Sequence, residues 1–111
     1  MNETCVFCRI ASSDVSADIV HEDPTFLAFR DMHPRARTHV LVIPRAHHAD
    51  LDTWIGAGGS SDEMLAFVRA TAEALDVSGR YRLVTNVGED AGQVVPHLHW
   101  HILSGGRLPG F

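Results

Sequence analysis

The sequence predicts an α+β fold in one domain, residues 1–111, with a five-stranded antiparallel sheet, one main helix and a short N-terminal helix. Two observations carry this. Short apolar or alternating runs are separated by turn signals and fall in the order hairpin, strand, helix, hairpin. One stretch, 61–76, repeats Met64, Phe67, Val68, Thr71 and Leu75 at helical spacing instead.

Residues 4–12 read TCVFCRIAS and predict a short helix with Thr4 as N-cap, which puts Cys5 and Cys8 on one face. Residues 18–22 and 25–31 are two strands joined at Asp23-Pro24, and His33-Pro34 breaks the second. Residues 39–44 (HVLVIP) are nearly all apolar, the pattern of a central strand. The stretch 55–61 reads as a Gly- and Ser-rich loop. Ser60 and Glu63 then form a capping box for the main helix, with Gly79 as its stop. Residues 81–87 and 94–103 are the fourth and fifth strands, separated by a polar turn at 88–93. The end of the chain, 104–111, is irregular.

A net charge of −5 argues against a general nucleic-acid binder, and all nine basic residues are arginine. No apolar run approaches the length of a membrane span, and the first residues lack the pattern of a signal peptide. Two cysteines are too few for a secreted disulfide framework, so the expected setting is the reducing cytoplasm.

Eight histidines are the compositional oddity. His97-Leu98-His99-Trp100-His101-Ile102-Leu103 alternates strictly. In a strand, His97, His99 and His101 line one face, about 6.8 Å apart, and Leu98, Trp100 and Ile102 the other. Imidazole is a nucleophile at neutral pH without activation. It can attack phosphorus to give a phosphoramidate that water then cleaves, with neighbouring rings donating to phosphoryl oxygens. A backbone carbonyl on Nδ1 would fix the tautomer and aim Nε2. A tri-histidine metal site and a plain polar sheet face are the alternatives. Cys5-x-x-Cys8 taken alone is a redox pair, half a zinc site, or two buried small residues.

The chain resembles the histidine triad family. HLHWHIL matches that family's signature of three histidines alternating with apolar residues. CVFCRI, LAFRDMHP, THVLVIPRAH, NVGEDAGQVVPH and the later GGR resemble its Hint branch in order and spacing, over nearly the whole chain. The resemblance implies that His99 is the nucleophile, with His101, His39 and His97 completing the catalytic set. It implies a nucleotide site in which Asp31 accepts the ribose hydroxyls and Asn86, Gln93 and Val94 border the phosphate. Phe7, Ile10, Val15, Phe29 and Met32 would form an apolar purine pocket. It further implies a structural zinc on Cys5, Cys8, His47 and His97, with no catalytic metal, and a homodimer in which the main helix carries much of the interface. His48, next to His47, points elsewhere. Two positions depart from the pattern. Val94 stands where many Hint proteins have serine, which removes a hydroxyl from the phosphate, and Arg30 replaces a histidine found in some relatives.

The implied reaction is attack of His99 on the α-phosphorus of a purine nucleoside phosphoramidate or related AMP ester, with neither membrane nor nucleic acid as partner. The alternatives are cleavage of dinucleoside polyphosphates with the same residues, or a nucleotide-binding scaffold without turnover.

Overall fold

The structure is a computed structural model and describes residues 4–110. Its elements are α1 (Val6–Ala11), β1 (Ile19–Glu22), β2 (Phe26–Arg30), β3 (Thr38–Pro44), α2 (Leu51–Gly56), α3 (Ser61–Ala74), β4 (Arg82–Val84) and β5 (Trp100–Ser104). A 3-10 turn at Glu89–Ala91 lies between the last two strands. All five strands join one antiparallel sheet in the order β1-β2-β3-β5-β4. Among the described residues, no helix is long and apolar enough to cross a membrane.

The hairpin β1–β2 closes on Asp23, whose Oδ1 accepts from the amides of Thr25 (2.8 Å) and Phe26 (2.7 Å), an Asx turn. β3 lies in the middle of the sheet, and its residues from His39 to Pro44 are all buried, as its apolar run predicts. Strand alternation then makes two cores. Phe26, Ala28, Val40, Val42 and Ile102 pack beneath Trp54 of α2 and Met64, Phe67 and Val68 of α3. Leu27, Phe29, Leu41 and Ile43 on the opposite face pack beneath Cys5, Phe7 and Cys8 at the α1 end. The histidines of β3 and β5 share this second face.

The capping serine of α3 is confirmed: Ser60 Oγ accepts from Glu63 N at 3.2 Å. The helix stops earlier than Gly79. Asp76 takes the left-handed conformation (φ 59), its amide reaches Glu73 O, and Val77 N reaches Ala72 O, so an aspartate closes a Schellman motif. The sequence pattern assigns residues 51–54 to no element and begins a loop at Ile55, whereas α2 spans Leu51–Gly56. Asp50 Oδ1 caps it through Thr53 N (2.9 Å), and Gly59 lies so close to the Trp54 indole that any Cβ there would collide with it.

The fifth strand is the main correction. It begins at Trp100, not at Val94. Pro96 has no amide to give a ladder, and the chain bends there, with His97 N bonded to Val95 O (2.9 Å) and Leu98 N to His48 O (2.7 Å). β4 is likewise shorter than 81–87. Beyond its end, Thr85 Oγ1 donates to His99 O at 2.8 Å, where a backbone ladder bond would otherwise fall.

Gly105 ends β5 at φ +116, and a Cβ there would collide with Cβ of Arg37, two residues before His39. Gly105→Ala should therefore cost about 1–3 kcal/mol. Urea unfolding checks this, and an unchanged midpoint would contradict it.

Candidate functional site

Register places the polar cluster. Across β3, β5 and β4, Leu41, His101 and Val84 form one row, and His39, Leu103 and Arg82 form the row two residues on, which shares its face. His39 and His101 are therefore diagonal neighbours on one face, and their rings meet with His39 Nε2 2.9 Å from His101 Nδ1. Asp31 follows β2, its amide bonded to His39 O at 2.9 Å. Its Oδ1 accepts from His33 N (2.8 Å), which leaves Oδ2 facing His39 Nε2 at 3.5 Å. The His99 ring stands beside His101, with centroids 5.1 Å apart.

Main-chain partners assign the tautomers. Arg35 N donates to His39 Nδ1 (3.0 Å), so the proton of a neutral His39 is on Nε2. That Nε2–H donates to His101 Nδ1, which puts the proton of His101 on its own Nε2. His99 Nδ1–H donates to His97 O at 2.8 Å and leaves Nε2 with a lone pair. Burial keeps these rings neutral. It pushes His101 down to about 4 against a weaker opposing pull from Asp31, and it lowers His99 and His39 as well. The result is one unprotonated ring nitrogen, on a residue 7% exposed, beside one N–H donor on the adjacent ring.

His97 belongs elsewhere. It lies outside β5, before its first residue Trp100, and the Phe7 ring touches both its imidazole and that of His99. The His97 side chain is fully buried, and its Nε2–H donates to Pro44 O at 2.8 Å. Its Nδ1 lies 3.4 Å from Cys5 Sγ and 3.5 Å from Cys8 Sγ, and His47 Nδ1 lies 3.3 Å from Cys8 Sγ. The four donor atoms are all within 4.8 Å of one another. Tetrahedral zinc with ordinary Zn–S and Zn–N bonds puts sulfur and nitrogen about 3.6 Å apart, so this cluster could hold a metal ion. The bond to Pro44 turns the Nδ1 lone pair of His97 into the cluster, the orientation that a ligand needs. Burial raises the Cys5 thiol, so taking up a metal would release protons.

Asp31, His39 and His101 also bring donor atoms within 4.8 Å of one another. They do not suit a metal. His39 Nδ1 already accepts from an amide, so its Nε2 presents a proton, not a lone pair, to the centre of the group.

The remaining sequence-predicted residues fall in several places. Phe7 and Phe29 are buried in the second core with Ile10 against them, and Val15 is half-buried in the turn after α1. Met32 and Val94 are 88% and 87% exposed. Asn86 is half-buried just past β4. The Gln93 side chain is occupied by backbone. Oε1 accepts from Gly88 N (2.8 Å), and Nε2 donates to Ala49 O (2.7 Å) and Val95 O (3.0 Å). Sequence reasoning missed three positioning groups: Thr85, the Pro44 carbonyl and the Arg35 amide. The last two are main-chain atoms with no signature in residue type.

Comparison with known proteins bears on the family and the fold. The family description "HIT domain" matches residues 12–108. An uncharacterised HIT-like protein of Rickettsia prowazekii is 37% identical, with 98% of this chain and 93% of that protein covered. A histidine triad protein from Clostridium difficile superposes with a TM-score of 0.88 at 32% identity, covering 100% of this chain and 98% of that one. A HIT family hydrolase from Legionella pneumophila gives 0.79 at 40% identity, with 96% of each chain covered.

The low value at His101 carries a stability consequence. Its folded-state pKa of about 4 lies below the ordinary 6.5, so the unfolded chain takes up protons first as pH falls. Stability from this residue is complete above about pH 6.5 and is lost as pH drops towards 4. Thermal melts of chelator-treated protein between pH 7.5 and 4.5 should show a falling midpoint, and His101→Gln should flatten the slope. Equal slopes for the two proteins would contradict the assignment.

Proposed function

The chain belongs to the HIT domain family, and on that premise we propose that it is a nucleotide hydrolase or transferase working through a nucleotidyl-histidine intermediate. Its substrate is a purine nucleoside phosphoramidate or related AMP ester. The observation that carries the reading is the locked tautomer of His99: Nδ1–H held by its neighbour's carbonyl, Nε2 left as the nucleophile.

In the first step His99 Nε2 forms a bond to the α-phosphorus, and the bond from phosphorus to the leaving group breaks. Positive charge that develops on the ring is drained through Nδ1–H towards His97 O. His101 Nε2–H, set by the bond from His39, donates to a phosphoryl oxygen. A neutral imidazole stabilises charge there without surrendering its proton, so a departing amine takes its proton from solvent. In the second step the oxygen of water bonds to phosphorus and gives up a proton to solvent, the P–N bond to His99 breaks, and AMP leaves with the lone pair restored to Nε2.

Asp31, half-buried beside His39, accepts the ribose hydroxyls. Phe7 and Phe29 form the floor of a purine pocket, with Ile10, Val15 and Met32 at its sides. Asn86, Gln93 and Val94 border the phosphate. Gln93 shapes that loop through its backbone bonds, and Val94 offers an amide where its relatives offer a hydroxyl. Cys5, Cys8, His47 and His97 hold a zinc ion whose role is structural. Bound there, it supplies a four-ligand cross-link with no open position for substrate. The protein works as a homodimer, with α3, whose Leu65 is exposed, at the interface.

His99→Ala should lower AMP release from adenosine phosphoramidate by about a thousandfold or more while leaving the circular dichroism spectrum unchanged. It should also abolish covalent labelling by radioactive substrate, and label persisting on this variant would sink the proposal. Protein prepared without a histidine tag should carry about one zinc per chain, and Cys8→Ser should lose it. Elemental analysis decides this: less than about half an equivalent in the unaltered protein would refute the zinc assignment.

A further inference from the structure

We infer that Phe7 is a positioning residue that transmits the state of the Cys5, Cys8, His47 and His97 cluster to the His99 ring. Only the kinetic arm of the test below rests on the reading of His99 as nucleophile.

Beside its contact with His101, two contacts hold the His99 ring, and both of these run back to the cluster. One is the bond from Nδ1–H to His97 O, the carbonyl of a residue whose own ring faces the cysteines. The other is Phe7. Its ring meets His99 edge-on, at 5.1 Å and 80°, and also meets His97, at 5.9 Å and 77°. Rotation of the imidazole about its Cβ–Cγ bond would sweep an edge into Phe7, so the phenyl ring keeps Nδ1 on the carbonyl side.

Phe7 in turn is held through α1. That helix has six residues, too few to persist alone, and Cys5 is its N-cap. The two thiols bracket Phe7 in sequence and face His97 and His47. Sulfur–imidazole hydrogen bonds are weak tethers. Four bonds to one soft divalent ion would fix α1, and with it Phe7, against the sheet. Metal loading of the cluster therefore sharpens the orientation of His99 without contributing any group to the reacting phosphorus.

The test is long-range 1H–15N spectroscopy of histidine-labelled protein, metal-stripped and zinc-loaded, with His99→Asn supplying the assignment. In zinc-loaded wild type, His99 should show the Nδ1–H tautomer alone. Stripping should average its two nitrogen shifts, and this comparison requires no variant to fold. Zinc-loaded Phe7→Leu should show the same averaging, with kcat for AMP release down about tenfold. Phe7→Tyr, which keeps the ring, should restore the single tautomer.

Phe29→Leu is the control, since Phe29 packs on Phe7 at 5.6 Å and is equally buried in that core. It should leave the His99 shifts in place. Identical His99 shifts with and without zinc, or averaging as large in Phe29→Leu as in Phe7→Leu, would overturn the inference. If the shifts behave as expected but wild type releases no AMP, the hydrolase reading fails and the positioning role stands.

Discussion

Everything at the centre of this molecule depends on main-chain groups deciding which nitrogen of each imidazole carries its proton. A neutral histidine is two different ligands in one ring, and which one it is depends on what its far side touches. Pro44 O, His97 O and the Arg35 amide settle that choice for His97, His99 and His39 respectively, and His39 passes it on to His101. Burial completes the arrangement by holding the rings neutral, because an imidazolium has two donors and no lone pair.

The two groups of metal-type side chains illustrate how far this reaches. Both bring histidine and potentially anionic residues within the same separation. In one, Pro44 O takes the outer proton of His97 and leaves its Nδ1 lone pair facing two thiols. In the other, an amide takes the outer lone pair and leaves a proton in the centre. Residue types alone do not distinguish them, since the difference lies in which backbone atom stands behind each ring. His97 and His99 both touch Phe7, and of the two His97 brings its Nδ1 to the cysteine sulfurs.

Much of the architecture was legible because it follows from periodicity and punctuation. The apolar run of β3, the Asx turn at Asp23, the Ser60 cap and the alternation around β5 each leave a local mark that the structure reproduces. The pairing of Cys5, Cys8, His47 and His97 was legible only through resemblance, as these positions are scattered along the chain. What escaped had no local mark or a misleading one. The glycines after α2 do mark a loop, but the close approach of Gly59 to Trp54 left no local sign, and Asp76 took a conformation normally given to glycine. Strict alternation at residues 97–103 overstated the strand, because alternation persists in side-chain type even where Pro96 has already ended the pairing. Phe7 was legible as apolar, and its contact with two imidazoles was not.

Gln93 has a mechanical consequence. Its amide spans the turn at Gly88, the loop at Ala49 and the bend at Val95, so three separately coded segments are laced together by one side chain. Asparagine is one methylene shorter and would have to abandon at least one of those anchors. The two loops beside the cysteine cluster should therefore travel as a single rigid flap, and a disturbance on the outer surface near Gly88 would be felt two residues from His47.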